Sequence, residues 1–411
     1  MAELRKFPDG FLWGTASAAH QVEGGCHNCD WWRFEQQGGI VTGDSADPAC
    51  DHYRRFRADF RLFRKLKHNA HRLSIEWSRV EPAPGEFDKR QVRHYRTVLA
   101  ELREQGMSPM VTLHHFTSPT WFADRGGWAA AGAPDGWLPF VERMADELGD
   151  LVDFWCTINE PNIYAHNGWL VGEFPPGRKG DLRGMYRVLA NMREAHERAY
   201  RALKKRRPDT PVGLAHHKWL MLPADPGRRR DVWAAAFAQT AMDRWPVSAT
   251  RLENVVQASG DYVGLNHYTG SLIAFDPFRP QDQFVRRLNP PGLPETDMGW
   301  AVEPGWLRRS LEQLKALGKP VYVTENGMAT TDDSHRQRFL REVLEQVWLA
   351  IEEGVDVRGY FHWTAMDNFE WAKGYSMKFG LIGVDLKSQE RTAKPSAALF
   401  ARIAAANALV E

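Results

Sequence analysis

Several things this 411-residue chain has little of narrow what it can be. Four cysteines are too few for a disulfide framework. No apolar run approaches the ~20 residues that a membrane-spanning helix needs. The net charge is only +1, so no global field draws the chain to nucleic acid or to a membrane surface. No Gly-x-Gly-x-x-Gly follows a strand-like segment, which disfavours a dinucleotide-binding fold. No Ser/Gly-rich linker or shift in composition interrupts the chain, so one domain spanning residues 1–411 is expected. Met1–Phe7 is short and charged, and no apolar stretch follows it, so no targeting segment is read there. These absences together predict a soluble, cytoplasmic protein whose oligomeric state stays open.

Cys26-His27-Asn28-Cys29 has the spacing of a metal knuckle or a redox pair. A structural zinc site wants a second pair of ligands, and Cys50 and Cys156 do not supply one at matching spacing. The segment therefore reads as a surface loop with incidental thiols, and no metal is expected.

What the chain does have is tryptophan, 17 of them. An indole offers a flat apolar face and one N–H. Sugars present C–H faces that stack on such rings, while their hydroxyls need polar partners. Many Trp among scattered Glu, Asn, His and Gln therefore suit a carbohydrate site, although a large barrel also buries many aromatics.

Short β-rich apolar runs alternate with longer helical stretches. The runs are Phe11–Ser17, His71–Trp77, Pro109–His115, Val152–Asn159, Val212–His217, Tyr262–Asn266, Val321–Glu325 and Arg358–Trp363. Helices are predicted over Tyr53–Lys67, Lys89–Gln105, Trp137–Gly149, Gly184–Arg206, Pro304–Leu317, His335–Glu353 and Pro395–Ala406. Strands alternating with helices predict a parallel sheet, and eight is the number that closes a (β/α)8 barrel. The long strand-to-helix loops Thr117–Gly136 and His267–Glu303 then belong on the active face.

In such a barrel, functional residues gather at the C-terminal strand ends. The second strand carries Arg72 and ends at Glu76-Trp77. The third ends in His114-His115, the fourth in Asn159-Glu160-Pro161, and the sixth in Asn266-His267-Tyr268. The seventh ends in Glu325-Asn326-Gly327, and the eighth in Trp363, with Asp367-Asn368-Phe369-Glu370-Trp371 just beyond. Glu160 and Glu325, on strands four and seven, would face each other across the mouth. Paired carboxylates across a cleft are what glycoside hydrolysis needs. A gap of about 5–5.5 Å would mean retention of configuration, and about 6.5–9.5 Å inversion.

Four segments, in order, carry a resemblance. They are Phe11-Leu12-Trp13-Gly14 with Gln21-Val22-Glu23-Gly24; Thr157-Ile158-Asn159-Glu160-Pro161; Thr324-Glu325-Asn326-Gly327; and Asp367-Asn368-Phe369-Glu370-Trp371. From near residue 7 to near residue 398 the chain resembles glycoside hydrolase family 1, the β-glucosidase family. The resemblance implies a (β/α)8 barrel, no cofactor, and a retaining, exo-acting β-glycosidase. A β-glucosidase is the first expectation, with β-galactosidase or β-fucosidase activity open beside it. Small β-glycosides or short oligosaccharides would be the substrates. A transglycosidase, or a non-catalytic sugar- or partner-binding barrel, is the alternative.

By the same resemblance Glu160 looks like the acid/base and Glu325 like the nucleophile. The acid should then have a raised pKa, and Arg72 is a plausible partner that keeps Glu325 ionised. Gln21, His115, Asn159 and Glu370 look like hydrogen-bond partners of the sugar hydroxyls. Tyr268 looks like the phenol touching the nucleophile, with Asn266 supporting the cluster. Trp363 would lie under the ring, and Trp371 would reach its outer hydroxyls. Trp169, Phe174 and Trp300 are candidates for the aglycone walls. A carboxylate at Glu370 should repel a 6-phosphate, so unphosphorylated glycosides are expected and Lys378 reads as a loop cation. Glu160 itself argues against a thioglucosidase, whose plant members in this family carry Gln there. Two departures from the usual family pattern, Glu76 and the run His114-His115-Phe116-Thr117-Ser118-Pro119, are expected at the cleft rim.

Overall fold

A computed structural model describes residues 5–245, 250–279 and 284–410. The first four residues, and residues 280–283 within the long loop before Glu303, therefore lie outside the described residues. Eight parallel strands close into a barrel in the order β1-β8-β7-β6-β5-β4-β3-β2. They are β1 (Leu12–Ala16), β2 (Ala70–Ser74), β3 (Ser108–His114), β4 (Phe154–Asn159), β5 (Val212–His217), β6 (Tyr262–Asn266), β7 (Val321–Asn326) and β8 (Val357–Trp363). Almost every strand residue is buried, because the barrel core covers one face and helices cover the other. Near-continuous apolar runs such as VYV in β7 are the sequence form of that double burial.

A helix follows each strand. They are α1 (His52–Lys65), α2 (Lys89–Glu104), α3 (Ala133–Leu148), α4 (Leu182–Arg206), α5 (Leu252–Ser259), α6 (Gly305–Lys315), α7 (Asp333–Glu352) and α8 (Pro395–Ala406). Their buried residues recur at helical spacing; in α2 these are Val92, Tyr95, Val98, Leu99 and Leu102. α2 begins where the Asp88 side chain accepts from the Arg90 backbone N–H. α3 starts four residues before its predicted origin, because Pro134 sits in the first turn, where no N–H is missed.

Three findings depart from the sequence reading. β2 stops at Ser74, and Glu76 instead caps a short helix, Trp77–Val80, by accepting from Ser78 N–H. The chain between β5 and β6 adds a helix, Arg229–Asp243, and a three-stranded sheet stands outside the barrel. Its strands are Val285–Leu288, Gly270–Phe275 and Leu220–Pro223, in that order. Finally, Cys26 and Cys29 are not thiols of a surface loop: both are buried, and His27 between them is exposed. Among the described residues, no helix is long and apolar enough to cross a membrane.

Candidate active site

Local irregularities in two strands aim the two glutamates. The register of β7 shifts between Val323 and Glu325 against β6, and between Val323 and Asn326 against β8. The register of β4 shifts between Cys156 and Asn159 against β5. Such shifts bend a strand and redirect the side chains beyond them. Glu160, just past β4, also sits in the left-handed region at φ 40°, a conformation that costs a non-glycine residue about 1–2 kcal/mol. Pro161 follows as the first residue of a helix, so the turn is short and firm. Gly327 allows β7 to close against β8: a Cβ there would collide with the Trp363 carbonyl oxygen.

Both carboxyls face one cavity of about 320 Å3 at the C-terminal end of the barrel. Arg72, fully buried, is the hub of its floor. Its Nη1 donates to Glu325 Oε1, its Nη2 to Asn159 Oδ1 at 2.6 Å, and its Nε to Thr112 Oγ1 at 3.1 Å. Tyr268 donates its phenol to Glu325 Oε2 at 2.7 Å. Asn266 Nδ2 donates to Glu160 Oε1 at 2.8 Å and to Asn159 Oδ1 at 3.1 Å, while its own Oδ1 accepts from Thr324 Oγ1 at 2.7 Å. Asn159 Nδ2 lies 3.2 Å from His115 Nε2. One network therefore joins both glutamates, and burial makes every member costly to unpair.

The remaining sugar-side residues close the floor. The ring of His115 stacks between Trp363, 5.7 Å away, and Trp371, 5.9 Å away. Gln21 donates to the Phe369 carbonyl at 2.7 Å and reaches Glu370 Oε2 at 3.4 Å. His115, Glu370, Trp363 and Trp371 line the cavity with Phe174 and Trp300. Trp169 does not. It is buried beside Tyr164, and its ring packs so closely on α4 that a Cβ placed on Gly184 would collide with it. It is a core residue behind the wall, a correction to its aglycone assignment. Glu76 is likewise 1% exposed and caps a helix instead of facing the rim, whereas Phe116 does line the cavity.

His217, at the end of β5, was not singled out from sequence. Its Nδ1 lies 3.0 Å from Glu160 Oε1. The strand-end rule that picked the other residues applied equally to it. Trp219, just beyond β5, and Arg287, on the outer sheet, were also missed; they form one side of the rim with Trp300.

Charge is crowded here. Burial pushes the Glu325 carboxyl up, Arg72 opposes that, and the nearby Glu160 adds to it, leaving Glu325 at about 7. Burial also raises Glu160, but His217 and the Asn266 amide outweigh it, so Glu160 is lowered. That is the reverse of the order expected from sequence, and its causes are the burial of Glu325 and the His217 contact to Glu160. Burial, then the charge on Glu325, pushes Glu370 up to about 8. Near neutral pH Glu370 is therefore largely protonated, and its power to repel a phosphate grows only as pH rises.

A closed parallel barrel with paired acids at its strand ends, above a floor of amides and indoles, defines a glycoside hydrolase. The comparisons specify which. The model of glycosyl hydrolase family 1 matches residues 3–252 and 246–409. Beta-glucosidase A of Thermotoga maritima is 33% identical, over 99% of this chain and 99% of that protein. The bifunctional beta-D-glucosidase/beta-D-fucosidase of Bifidobacterium breve is 35% identical, over 95% and 96%. Among solved structures, the beta-glycosidase from Pyrococcus horikoshii superimposes with a TM-score of 0.92 at 35% identity, covering 100% of this chain and 97% of that one. The chain belongs to glycosyl hydrolase family 1.

Proposed function

We propose that this hydrolase is a retaining, exo-acting β-glycosidase acting first on β-glucosides, with residues 1–411 as one catalytic domain. Glu325 is the nucleophile and Glu160 the acid/base. The observation that carries the reading is the unequal dressing of the two acids. Glu325 takes donors on both oxygens, from Arg72 and from Tyr268. That is the environment of a group that must act as an anion. Among the described residues Glu160 is held through Oε1, by Asn266 and His217, and its other oxygen is left to give a proton to the leaving group. The substrate class rests on the names of the relatives, which include β-glucosidases and a glucosidase/fucosidase.

In the first step Glu325 attacks the anomeric carbon, the glycosidic C–O bond breaks, and the departing oxygen takes the Glu160 proton. In the free cavity Glu325 is the carboxyl held high and Glu160 the one held low, so the reacting form, with Glu325 ionised and Glu160 protonated, is the minor arrangement of one shared proton. Glu160 then accepts a proton from water, which attacks the glycosyl-enzyme and frees Glu325. Asn159, held by Arg72, His115 and Asn266, is placed to bind a sugar hydroxyl beside the reacting carbon. A cytoplasmic location fits the four cysteines, none of which forms a disulfide.

Glu325→Gly should reduce hydrolysis by roughly 10^5-fold, the scale on which single covalent nucleophiles are missed. Azide should restore turnover and give the α-glycosyl azide. A β product in the rescued reaction would refute the nucleophile assignment.

A further inference from the structure

The knuckle Cys26-x-x-Cys29 finds its missing ligands in space. His20, Cys26 and Glu76 each bring a ligand atom to within 4.8 Å of the other two, and all three are buried. Cys29 Sγ stands beside this trio rather than within it, 3.6 Å from His20 Nδ1. A tetrahedral zinc ion holds sulfur at about 2.3 Å and imidazole nitrogen at about 2.0 Å, which sets two such atoms about 3.5 Å apart. The sulfur–nitrogen gap is already that of two ligands sharing one ion.

The surroundings are those of a ligand set. His20 Nε2 lies 2.7 Å from Glu35 Oε1, so its proton belongs on that nitrogen and Nδ1 presents a lone pair to the cysteines. Glu35 is itself fixed through its other oxygen, which accepts from Ser45 Oγ at 3.1 Å and Ala46 N–H at 3.0 Å. A metal-bound imidazole oriented by a carboxylate is the recurring outer-shell arrangement. Glu76 Oε1 accepts from Ser78 N–H at 3.2 Å and Ser78 Oγ at 2.7 Å, and Oε2 from Thr117 Oγ1 at 2.9 Å, which orients the carboxylate and leaves Oε2 a second lone pair. Burial pushes both thiols up; against it, Cys29 Sγ accepts from the Trp32 N–H at 3.4 Å and Arg79 Nη2 lies 3.1 Å from Cys26 Sγ, contacts that favour the thiolate a bound ion would require.

We propose that Cys26, Cys29, His20 and Glu76 bind a structural divalent cation of thiophilic character, zinc being the fit to two sulfurs, one imidazole and one carboxylate. Binding forms two metal–thiolate bonds and releases the two thiol protons, with no change in oxidation state. The ion would tie together the loops that follow β1 and β2. The loop after β3 joins through Thr117 and through the Asp30 N–H, which donates to the Ser118 carbonyl at 2.9 Å. It would also act on the sugar floor. His20 immediately precedes Gln21, and its ring stacks on Trp371 at 6.0 Å and 11°. The site thus fastens the back of the glycone pocket without touching substrate.

The test uses the full-length enzyme, purified under reducing conditions, stripped with a chelator, and titrated with Co2+ and separately with Zn2+. The expected result is uptake of one ion per chain, a strong thiolate-to-cobalt absorption, protection of two thiols from alkylation, and a rise in Tm. Cys29→Ser should lose the absorption, and Glu76→Gln should weaken uptake at least tenfold. Should either variant fold poorly, the titration of stripped wild-type enzyme still decides. No stoichiometric uptake by that enzyme, thiols that stay equally reactive in excess metal, or a Cys26–Cys29 disulfide under reducing conditions would each overturn the proposal.

Discussion

The floor and the rim of the catalytic cavity are built on different plans. In the floor, Arg72, Asn159, Asn266 and Tyr268 come from the barrel strands or the residues just past them, and each bonds to the network that holds Glu160 and Glu325. At the rim, Arg287 belongs to the sheet outside the barrel and Trp219 immediately precedes one of its strands, while Trp300 lies in the loop before α6. Ring contacts dominate there: Trp219 meets Trp300 at 5.8 Å, and the Arg287 guanidinium lies 5.8 Å from the Trp219 ring. Trp219 adds one hydrogen bond, to Ser271 Oγ at 3.0 Å. A networked floor admits one geometry, whereas a stacked rim tolerates many partners. Size alone does not mark the site. A larger hollow, about 710 Å3, opens at the opposite end of the barrel around Gly10, Asp153 and Arg358, remote from both glutamates.

The floor should fail abruptly. Glu160→Ala is expected to slow hydrolysis of poor leaving groups by about 10^2–10^4-fold while sparing activated aryl glycosides. Leaving-group dependence of kcat/KM measures this, and equal losses across the series would remove the acid role. Arg72→Met strips Glu325 of its cation and leaves a buried charge unpaired, a cost of about 3–5 kcal/mol in stability. It should also raise the Glu325 pKa further, moving the acid limb of the pH–rate profile to higher pH. An acid limb that stays in place would mean Arg72 does not address Glu325 in solution.

A milder effect separates charge from hydrogen bonding in the floor. Glu370 is raised from 4.5 to about 8 by burial and by its acidic neighbours. A carboxyl raised on folding favours the native state fully below its unfolded value, and that benefit is lost as pH rises through the folded value. Between about pH 4.5 and 8 the wild-type enzyme should therefore lose stability that Glu370→Gln keeps. The difference should grow toward alkaline pH to on the order of 1 kcal/mol or more. Urea unfolding across that range reads it, and parallel stability curves for the two proteins would show that Glu370 titrates normally.

The floor was also far more legible than the rim. Eight doubly buried strands leave apolar runs in the sequence, and the residues ending them had to point into the mouth, so Arg72, Asn159, Glu160, Asn266 and Glu325 could be placed by position. Ends of elements were less legible: β2 stops at Ser74 because Glu76 finds a capping role that an apolar pattern does not signal. The outer sheet went unread because its two flanking strands have four residues each, and in Val285–Leu288 two consecutive arginines break the apolar alternation. Trp169 was misplaced for a related reason. Nothing in its neighbours distinguishes an indole facing the cleft from one packed against α4. The ligands around Cys26 and Cys29 were out of reach too, since His20 and Glu76 meet them only once β1 and β2 lie side by side.

The smallest effect should come from the rim, and it tests the contrast most directly. Trp300 touches both worlds: its ring lies 5.7 Å from Tyr268, which holds Glu325, and 5.8 Å from Trp219. If the rim only offers a stacking surface, Trp300→Ala should cost about 0.5–1.5 kcal/mol with aromatic aglycones, a roughly 2- to 12-fold rise in KM. The kcat for a small alkyl glycoside, which has no ring to stack, should hold. If instead Trp300 buttresses Tyr268, kcat should fall for every substrate, and the pH–rate profile should shift as it does in Arg72→Met. A fall in kcat with an unshifted profile would place Trp300 in substrate positioning. A change in KM confined to aryl substrates is the outcome that keeps floor and rim as separate devices.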